Sequence, residues 1–428
     1  MRILIVGKEL DTPAMREAVR RAGVEAIFMG SRSARACRNI AGYPPVSALI
    51  LGADHGDHTS LAGSLLLQSA KLIVPVSGEN IAAGISTLPQ ELAARLSLYF
   101  AYSGQENLYH GLRLVRDMAE HRDPGEVPPP KPMPLDAIYT FDGRFYSTLA
   151  DYLAANPESG RPLIGILSYR SRWADGDLAL EASLVRHLEK LGIGAVPAFS
   201  EGSADPSVGA LKFEEVLDRF FCLDGKCAVD GLINFQFFGA KAGEGKSMFA
   251  VAAEQFKKLD VPVFHPPTLS GKTEEEWQRD PRPYRAELST HFIIPELQGM
   301  IESVHIACAD SQRQRKPVES RVERLCARIR KWVDLRHKEN REKRVALFLH
   351  NAPCSGVEAT LGQATDLDGF ESTVQILRAL QAQGYTVREI PKTGEELQAI
   401  IRDRRAHSDF RWTAAEAVSY THLTLPTT

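Results

Sequence analysis

Short, wholly apolar runs alternate with segments of helical length along most of this chain, and nothing else in the sequence restricts the fold as strongly. Residues 3–6 (Ile-Leu-Ile-Val), 48–51 and 72–75 are continuous apolar runs of strand length. That is the pattern of a parallel strand covered on both faces. Between the first two lies a helix expected over 12–22, with Asp11 or Thr12 as N-cap and Gly23 as its stop. Residues 60–69 and 105–119 read as further helices. A second series begins after Pro162, with strands expected at 163–167, 194–199, 231–238 and 261–264. Helices over 178–190, 213–220 and 247–258 separate them. Parallel strands need crossover connections, and helices supply them. The fold class expected is therefore α/β, with several doubly wound parallel-sheet domains joined by linkers.

At 428 residues the chain exceeds one ordinary core. Prolines at 124, 128, 129, 130, 132 and 134 forbid a helix and mark 121–160 as linker and bridging segment. Residues 1–120 then form an N-terminal α/β domain of flavodoxin or Rossmann character, and 161–310 a second one. Residues 311–343 hold a long charged helix, apolar at Val322, Leu325, Ile329 and Val333, which gives one buried stripe. Residues 344–417 open a third, truncated α/β domain of strand 345–349, a helix and a second strand near 384–387. Residues 418–428 continue no pattern and read as a non-native tail.

Charge is nearly balanced, 51 basic against 54 acidic residues, so nothing draws the chain to nucleic acid or an anionic membrane. Cysteines at 37, 222, 227, 308, 326 and 354 form no Cys-Xaa-Xaa-Cys pair, and Cys222 and Cys227 are too isolated for a zinc site. Reduced thiols are expected. No signal peptide opens the sequence, and no stretch reaches the roughly 18 apolar residues of a membrane span. A soluble, cytoplasmic protein is the expectation.

Several motifs bear on chemistry. Residues 239–247 (Gly-Ala-Lys-Ala-Gly-Glu-Gly-Lys-Ser) imitate a phosphate-binding loop, but Ala240 stands where that loop needs glycine. Asp54, His55, Asp57 and His58 sit in one loop and suit a divalent ion by type. Neighbouring residues rarely all face one point, so a solvated loop is the plainer reading. Tyr169, Arg170 and Arg172 stand at a strand's C-terminal end, where open α/β sheets place their ligands. Phe235, Phe237, Phe238 and Trp173 lie near by, and packing between domains is the competing account of all these residues. His350 and Asn351 end another strand, and a neutral-range imidazole can accept a proton or ligate a metal. Asp368 and Glu371 have capping-box spacing at the next helix. His265, ahead of two prolines, fits a structural turn as well as a site.

Five segments in order carry a resemblance: 104–108 (Gly-Gln-Glu-Asn-Leu), 165–172, 295–299 (Pro-Glu-Leu-Gln-Gly), 345–353 with its His-Asn-Xaa-Pro ending, and 366–389. From roughly residue 100 to 405 the chain resembles the cobaltochelatase large subunit (CobN) and magnesium chelatase H subunit family. Leu297 and Gln298 replace an aromatic residue and an aspartate of that family's turn. The resemblance implies a subunit that binds a tetrapyrrole while Co²⁺ or Mg²⁺, the metal ion substrate, is inserted. It implies that ATP is hydrolysed by an AAA+ ATPase partner subunit, with an integrin-like co-subunit, and not by this chain. It nominates His350 and Glu371 as catalytic, and Tyr169, Arg170, Arg172, Phe238, Asn351 and Glu296 as substrate-binding. Arginine forks suit peripheral carboxylates, and aromatic faces cover a macrocycle. The alternatives are a small-ligand-binding multi-domain α/β protein without catalysis and, third, a P-loop ATPase.

Overall fold

The computed structural model describes residues 1–7, 10–29, 46–52, 70–76, 86–157, 160–202, 209–236, 247–285, 287–311, 314–349, 363–364 and 366–406. The first sheet consists of β1 (Arg2–Val6), β2 (Glu25–Met29), β3 (Ala48–Leu51) and β4 (Leu72–Pro75), all parallel, in the order β2-β1-β3-β4. Alternation along each strand divides its apolar residues between two faces. Ile3, Ile5, Ala48, Ile50 and Val74 pack on helix α1 (Pro13–Ala22) through Met15, Ala18 and Ala22. Leu4, Val6, Leu49, Leu51 and Ile73 build the core of the opposite face. Thr12 caps α1 by accepting the Met15 N–H, and Gly23 ends it at φ 65°, as the sequence indicates. The helix expected at 60–69 lies outside the described residues.

Two elements around this sheet escape the sequence reading. β2 is a sheet edge whose residues are mostly half-buried, although 26–29 form a continuous apolar run of strand length. Helix α2 (Gln90–Tyr102) starts at Pro89 without a side-chain cap. It packs beside α3 (Gln105–Ala119), which has the expected limits. The proline-rich segment is extended, and side chains of these helices hold it along its length. Arg95 donates to Val127 O at 2.9 Å, Arg113 to Pro124 O at 2.9 Å, and Asn107 exchanges two bonds with the Lys131 backbone. Prolines offer carbonyls and no N–H, so the donors come from side chains.

The second sheet has the order β12-β11-β7-β8-β5-β6. Its parallel part is β7 (Leu163–Tyr169), β8 (Gly194–Ser200), β11 (Gly231–Asn234) and β12 (Val263–Phe264). An antiparallel hairpin, β5 (Ala137–Tyr139) and β6 (Phe145–Tyr146), extends it along β8. The stretch read as a bridging element thus supplies two strands, β6 at the sheet edge and β5 between it and β8, and the sheet is mixed. Helix α4 (Leu149–Ala155) follows that hairpin, and the short α5 (Arg170–Ala174) follows β7 directly. One face carries α7 (Phe213–Phe221) and α8 (Met248–Leu259), with Leu217, Phe220, Phe256 and Leu259 over Leu167, Val196 and Leu232. The other carries α6 (Ala179–Lys190) and the long charged helix. Between α7 and β11 stands a small hairpin, β9 (Cys222–Leu223) with β10 (Lys226–Cys227). After β12 come α9 (Glu274–Arg279), a wide helical turn at Ser289–Ile293, α10 (Ile294–Leu297) and the hairpin β13 (Ala307–Ala309) with β14 (Arg315–Pro317). The charged helix is α11 (Glu319–His337), shorter than the segment 311–343 that holds it, and its stripe Val322, Leu325, Ile329 and Val333 is buried as the spacing predicts. No described helix is long and apolar enough to cross a membrane.

By contacts the chain divides into two compact units, Met1–Val333 and Asp334–Thr428. In the second, residues 345–349 form no strand, and neither do 384–387. Val345 is 54% exposed and Phe348 93%. A buried parallel strand needs paired neighbours and covered faces, and the described part of this unit supplies neither to 345–349. What it does form is a bridge of β15 (Gln363–Ala364) with β16 (Leu367–Asp368), then α12 (Gly369–Ala382) packed on α13 (Gly394–Ala406).

Gly165 tests the packing of the second sheet. A Cβ there would meet Phe221 Cε1 at 2.6 Å and Leu232 Cδ1 at 2.9 Å, both on fully buried side chains. Gly165→Ala should cost about 1–3 kcal/mol, the usual range for overpacking a filled core, and Gly165→Val more. An unchanged urea midpoint in both variants would show that the Phe221 ring yields freely.

Candidate functional site

The chain leaves β7 for β8 on one side, then returns past β7 to place β11 on the other. The connections after β7 and β11 therefore diverge, and a crevice opens beyond their C-terminal ends. A cavity of about 230 Å³ lies there, lined by Tyr169, Arg172, Phe235, His265, Pro266, Thr268, Ser270, His291 and Arg315. Tyr169 ends β7, Phe235 follows β11, and His265 follows β12. Gly202, at φ 82°, lies so close to the Tyr169 ring that a Cβ would stand 2.7 Å from it.

Buried amides stitch these strand ends together. Gln236 Nε2 donates to Ser168 O at 2.8 Å and to Ser200 O at 3.2 Å, joining β7 to β8. Asn234 Oδ1 accepts the Gln236 N–H. His265 Nδ1 lies 2.7 Å from Asn234 O. A carbonyl can only accept, so Nδ1 carries the proton. Burial pushes the His265 pKa down to about 4, with the Asn234 bond opposing and His291 assisting. The ring is neutral at pH 7, and Nε2 is then its acceptor nitrogen. His291 stacks on it at 5.8 Å between centroids, and burial also lowers the His291 pKa.

Beneath the cavity runs a buried ionic network. Arg315 Nε donates to Asp177 at 3.0 Å, and its NH2 group donates to both oxygens of Glu181 at 2.8 and 2.9 Å. Ser168 donates to Glu181 at 2.5 Å, and Arg172 donates to Asp177 at 2.8 Å. Burial opposes the Arg315 charge, but Glu181 and then Asp177 outweigh it and hold the pKa above its ordinary value. Arg172 is different: burial, then the Arg315 charge, lower its pKa. Its side chain is 34% exposed, so it is the cation of the network that an incoming anion can reach.

Of the residues nominated from sequence, Tyr169 and Arg172 meet in this cavity. Arg170 turns away and donates to Pro134 O at 3.0 Å and Tyr102 O at 3.1 Å, tying β7 to the proline strap and to α2. Trp173 joins the aromatic cluster of Tyr139 and Phe145 on the β5–β6 hairpin with Phe199 on β8. Glu296 is exposed on α10, in the helical run that carries His291, and Gly299 behind it takes φ 82°. In the second unit, Asp368 caps α12 as its spacing predicts. Glu371 does not complete the capping box. It accepts the Gln375 amide and the Gly394 N–H, which lower its pKa and tie α12 to α13. Phe238, His350 and Asn351 lie outside the described residues, as do residues 53–58 and the loop 239–246. Among the described residues no group of three or more His, Cys, Asp and Glu side chains is placed to hold a metal ion.

The sequence reading missed Arg315, His291, Gln236, Asp177 and Glu181. Arg315 and His291 come from irregular stretches far along the chain, and no local spacing ties them to β7. Gln236 had a signal: a lone amide between phenylalanines at a strand end.

Comparison with known proteins fits this architecture. The solved catalytic subunit of cobaltochelatase from Mycobacterium tuberculosis superimposes with a TM-score of 0.61 at 18% identity, over 94% of this chain and 33% of that one. An uncharacterized protein of Methanocaldococcus jannaschii is 30% identical over 337 residues, 77% of this chain and 26% of its own length. The aerobic cobaltochelatase subunit CobN of Pseudomonas aeruginosa is 26% identical over 347 residues, 78% of this chain and again 26% of the relative. The chain thus spans about a quarter of the length of the curated relatives it matches. Residues 97–427 match the family model described as CobN/Magnesium Chelatase, a span that takes in the proline strap, the second sheet and the cavity at its switch point, and by that match the chain belongs to the CobN/magnesium chelatase family.

Proposed function

We propose that this chain is part of a tetrapyrrole-binding chelatase large subunit and grips one edge of the macrocycle. The observation that carries the reading is the cavity at the switch point of β7 and β11, which combines a tyrosine face, a reachable arginine and two neutral imidazoles. A tetrapyrrole edge presents a flat apolar rim and peripheral carboxylate or amide groups. Tyr169 covers the rim, Arg172 receives a carboxylate, and His265 Nε2 accepts a hydrogen bond from a peripheral amide N–H. At about 230 Å³ the cavity takes an edge and not the whole ring. An imidazole with a pKa of about 4 is a weak base, so His265 orients the ring and does not carry its protons away. Glu371, held low by Gln375 and Gly394, is a poor base too. His350 remains the nominated proton acceptor.

In this reading Co²⁺ or Mg²⁺ is the substrate ion, inserted as the ring loses its pyrrole protons. ATP hydrolysis on an AAA+ partner with its integrin-like co-subunit supplies the work that closes the large subunit on the ring. The small cavity also suits a second reading, capture of a small carboxylate without catalysis, and one titration separates the two. A carboxylated porphyrin should shift its absorbance on addition of the chain. Losing one charge-assisted arginine contact costs about 1.5–3 kcal/mol, so Arg172→Ala should weaken binding roughly ten- to a hundredfold. No absorbance change with the parent chain, together with binding of a simple dicarboxylate, would favour the second reading. Equal porphyrin affinity in parent and Arg172→Ala would place the ring elsewhere.

A further inference from the structure

The hairpin of β9 and β10 turns on Asp224 and Gly225, both at positive φ, 49° and 72°. This is the primed turn whose twist matches a two-residue hairpin. Leu223 and Lys226 flank the turn, and Cys222 lies directly opposite Cys227. The next pair outward is bonded, with Ala228 N donating to Phe221 O at 2.9 Å. Bonded and non-bonded pairs alternate along an antiparallel ladder, so the two cysteines occupy a non-bonded position. Cα atoms there approach to about 4.5 Å, inside the range a disulfide spans. The two thiols already share a hydrogen bond, and Cys227 Sγ also lies 3.4 Å from Val229 O. Both residues are half-buried and reduced.

We propose that Cys222 and Cys227 are an oxidant-sensitive dithiol that closes to an intramolecular disulfide across this hairpin. The co-reactant is a small disulfide of the glutathione class. The Cys227 thiolate attacks one sulfur of that disulfide and releases one small thiol. Cys222, its proton lost to water, then attacks Cys227 Sγ and expels the second small thiol. Two protein thiols are oxidised, and one disulfide is reduced to two thiols. Burial pushes the Cys222 thiol up to about 11, so closure is slow near neutrality and quickens as pH rises. Among the described residues Cys308 and Cys326 have no cysteine opposite them. Cys308 sits beside His305, and Cys326 is on the buried face of α11. The bond would fix the hairpin where α7 hands the chain on to β11, and reduction would release it.

The test uses the whole chain with oxidised glutathione at about pH 8.5, where thiolate is available, followed by alkylation and mass spectrometry. The expected product lacks the mass of two hydrogens, has two fewer alkylated cysteines, and yields a cross-linked 222–227 peptide that dithiothreitol reopens. Cys222→Ser should instead stop at a glutathione adduct on Cys227. Stable glutathione adducts on the unsubstituted hairpin, a disulfide between other cysteines, or six alkylated thiols after oxidation would each overturn the proposal. None of these outcomes depends on tetrapyrrole binding.

Discussion

Arg315→Ala should destabilise the first compact unit by about 3–5 kcal/mol, the loss expected when one partner of a buried ionic network is removed. The reason is what the substitution leaves behind. The Asp177 and Glu181 side chains are 2% and 0% exposed; Glu181 takes its cationic contact from Arg315, and Asp177 shares its own between Arg315 and Arg172. Arg172 still reaches Asp177, but nothing replaces the two bonds to Glu181, and only Ser168 remains on that carboxylate. Arg315→Lys should fall between parent and alanine, because one ammonium cannot span two carboxylates as a guanidinium does. Arg186→Ala is the contrasting control. Its pair with Glu319 has both side chains about half exposed, so it should change stability by less than about 1 kcal/mol. Urea unfolding of the three variants decides the matter. An Arg315→Ala chain within about 1 kcal/mol of the parent would mean that water enters the network and solvates the carboxylates.

That network also shows how far the sequence can be read. The strands came through because a doubly covered parallel strand must be apolar throughout, and 48–51, 72–75 and 163–167 have few other ways to fold. Helix limits came through where a cap enforces them, at Thr12, Gly23 and Asp368. β2 and the hairpin at 137–146 did not. Residues 26–29 are as apolar as 48–51 and carry the same signal, while β5 and β6, three and two residues long, are too short to show a period. The run 345–349 carries a strand's composition and none of its pairing, since a strand is completed by neighbours that its own residues do not specify. At the site, the general rule for strand C-termini located Tyr169 and Arg172 but could not tell which way the next residues turn. Arg170 was nominated with them and is spent on two main-chain carbonyls. The carboxylate that holds Arg172 in place is Asp177, which is itself fixed by Arg315, a residue joined to it only by the fold.

Acid should destabilise the same unit steeply between pH 6.5 and about 4. His265 and His305 are both buried and both pushed down to about 4, chiefly by burial. At His305 the Arg321 and His291 charges add to that, while its ring stacks on Trp277 at 4.4 Å and its Nε2 lies 3.2 Å from Cys308 Sγ. The unfolded chain protonates these imidazoles near 6.5, whereas the folded chain resists until about 4. Within that window the unfolded state binds more protons, so stability rises with pH, and the loss on acidification begins at the upper end. Each histidine should remove about 2 kcal/mol between pH 7 and pH 5, or about 4 kcal/mol together. His291, also lowered by burial, acts in the same direction. Asp175, pushed up to about 6 chiefly by burial, works in the opposite sense and offsets part of this loss in the parent. His305→Gln isolates the imidazole contribution in urea unfolding at the two pH values, since that variant should lose about 2 kcal/mol less than the parent on acidification. If the parent loses under about 1 kcal/mol, the imidazoles are hydrated in the folded chain. His265 would then be a competent base at neutral pH, and the division of labour that assigns it to orienting the ring would fall with the prediction.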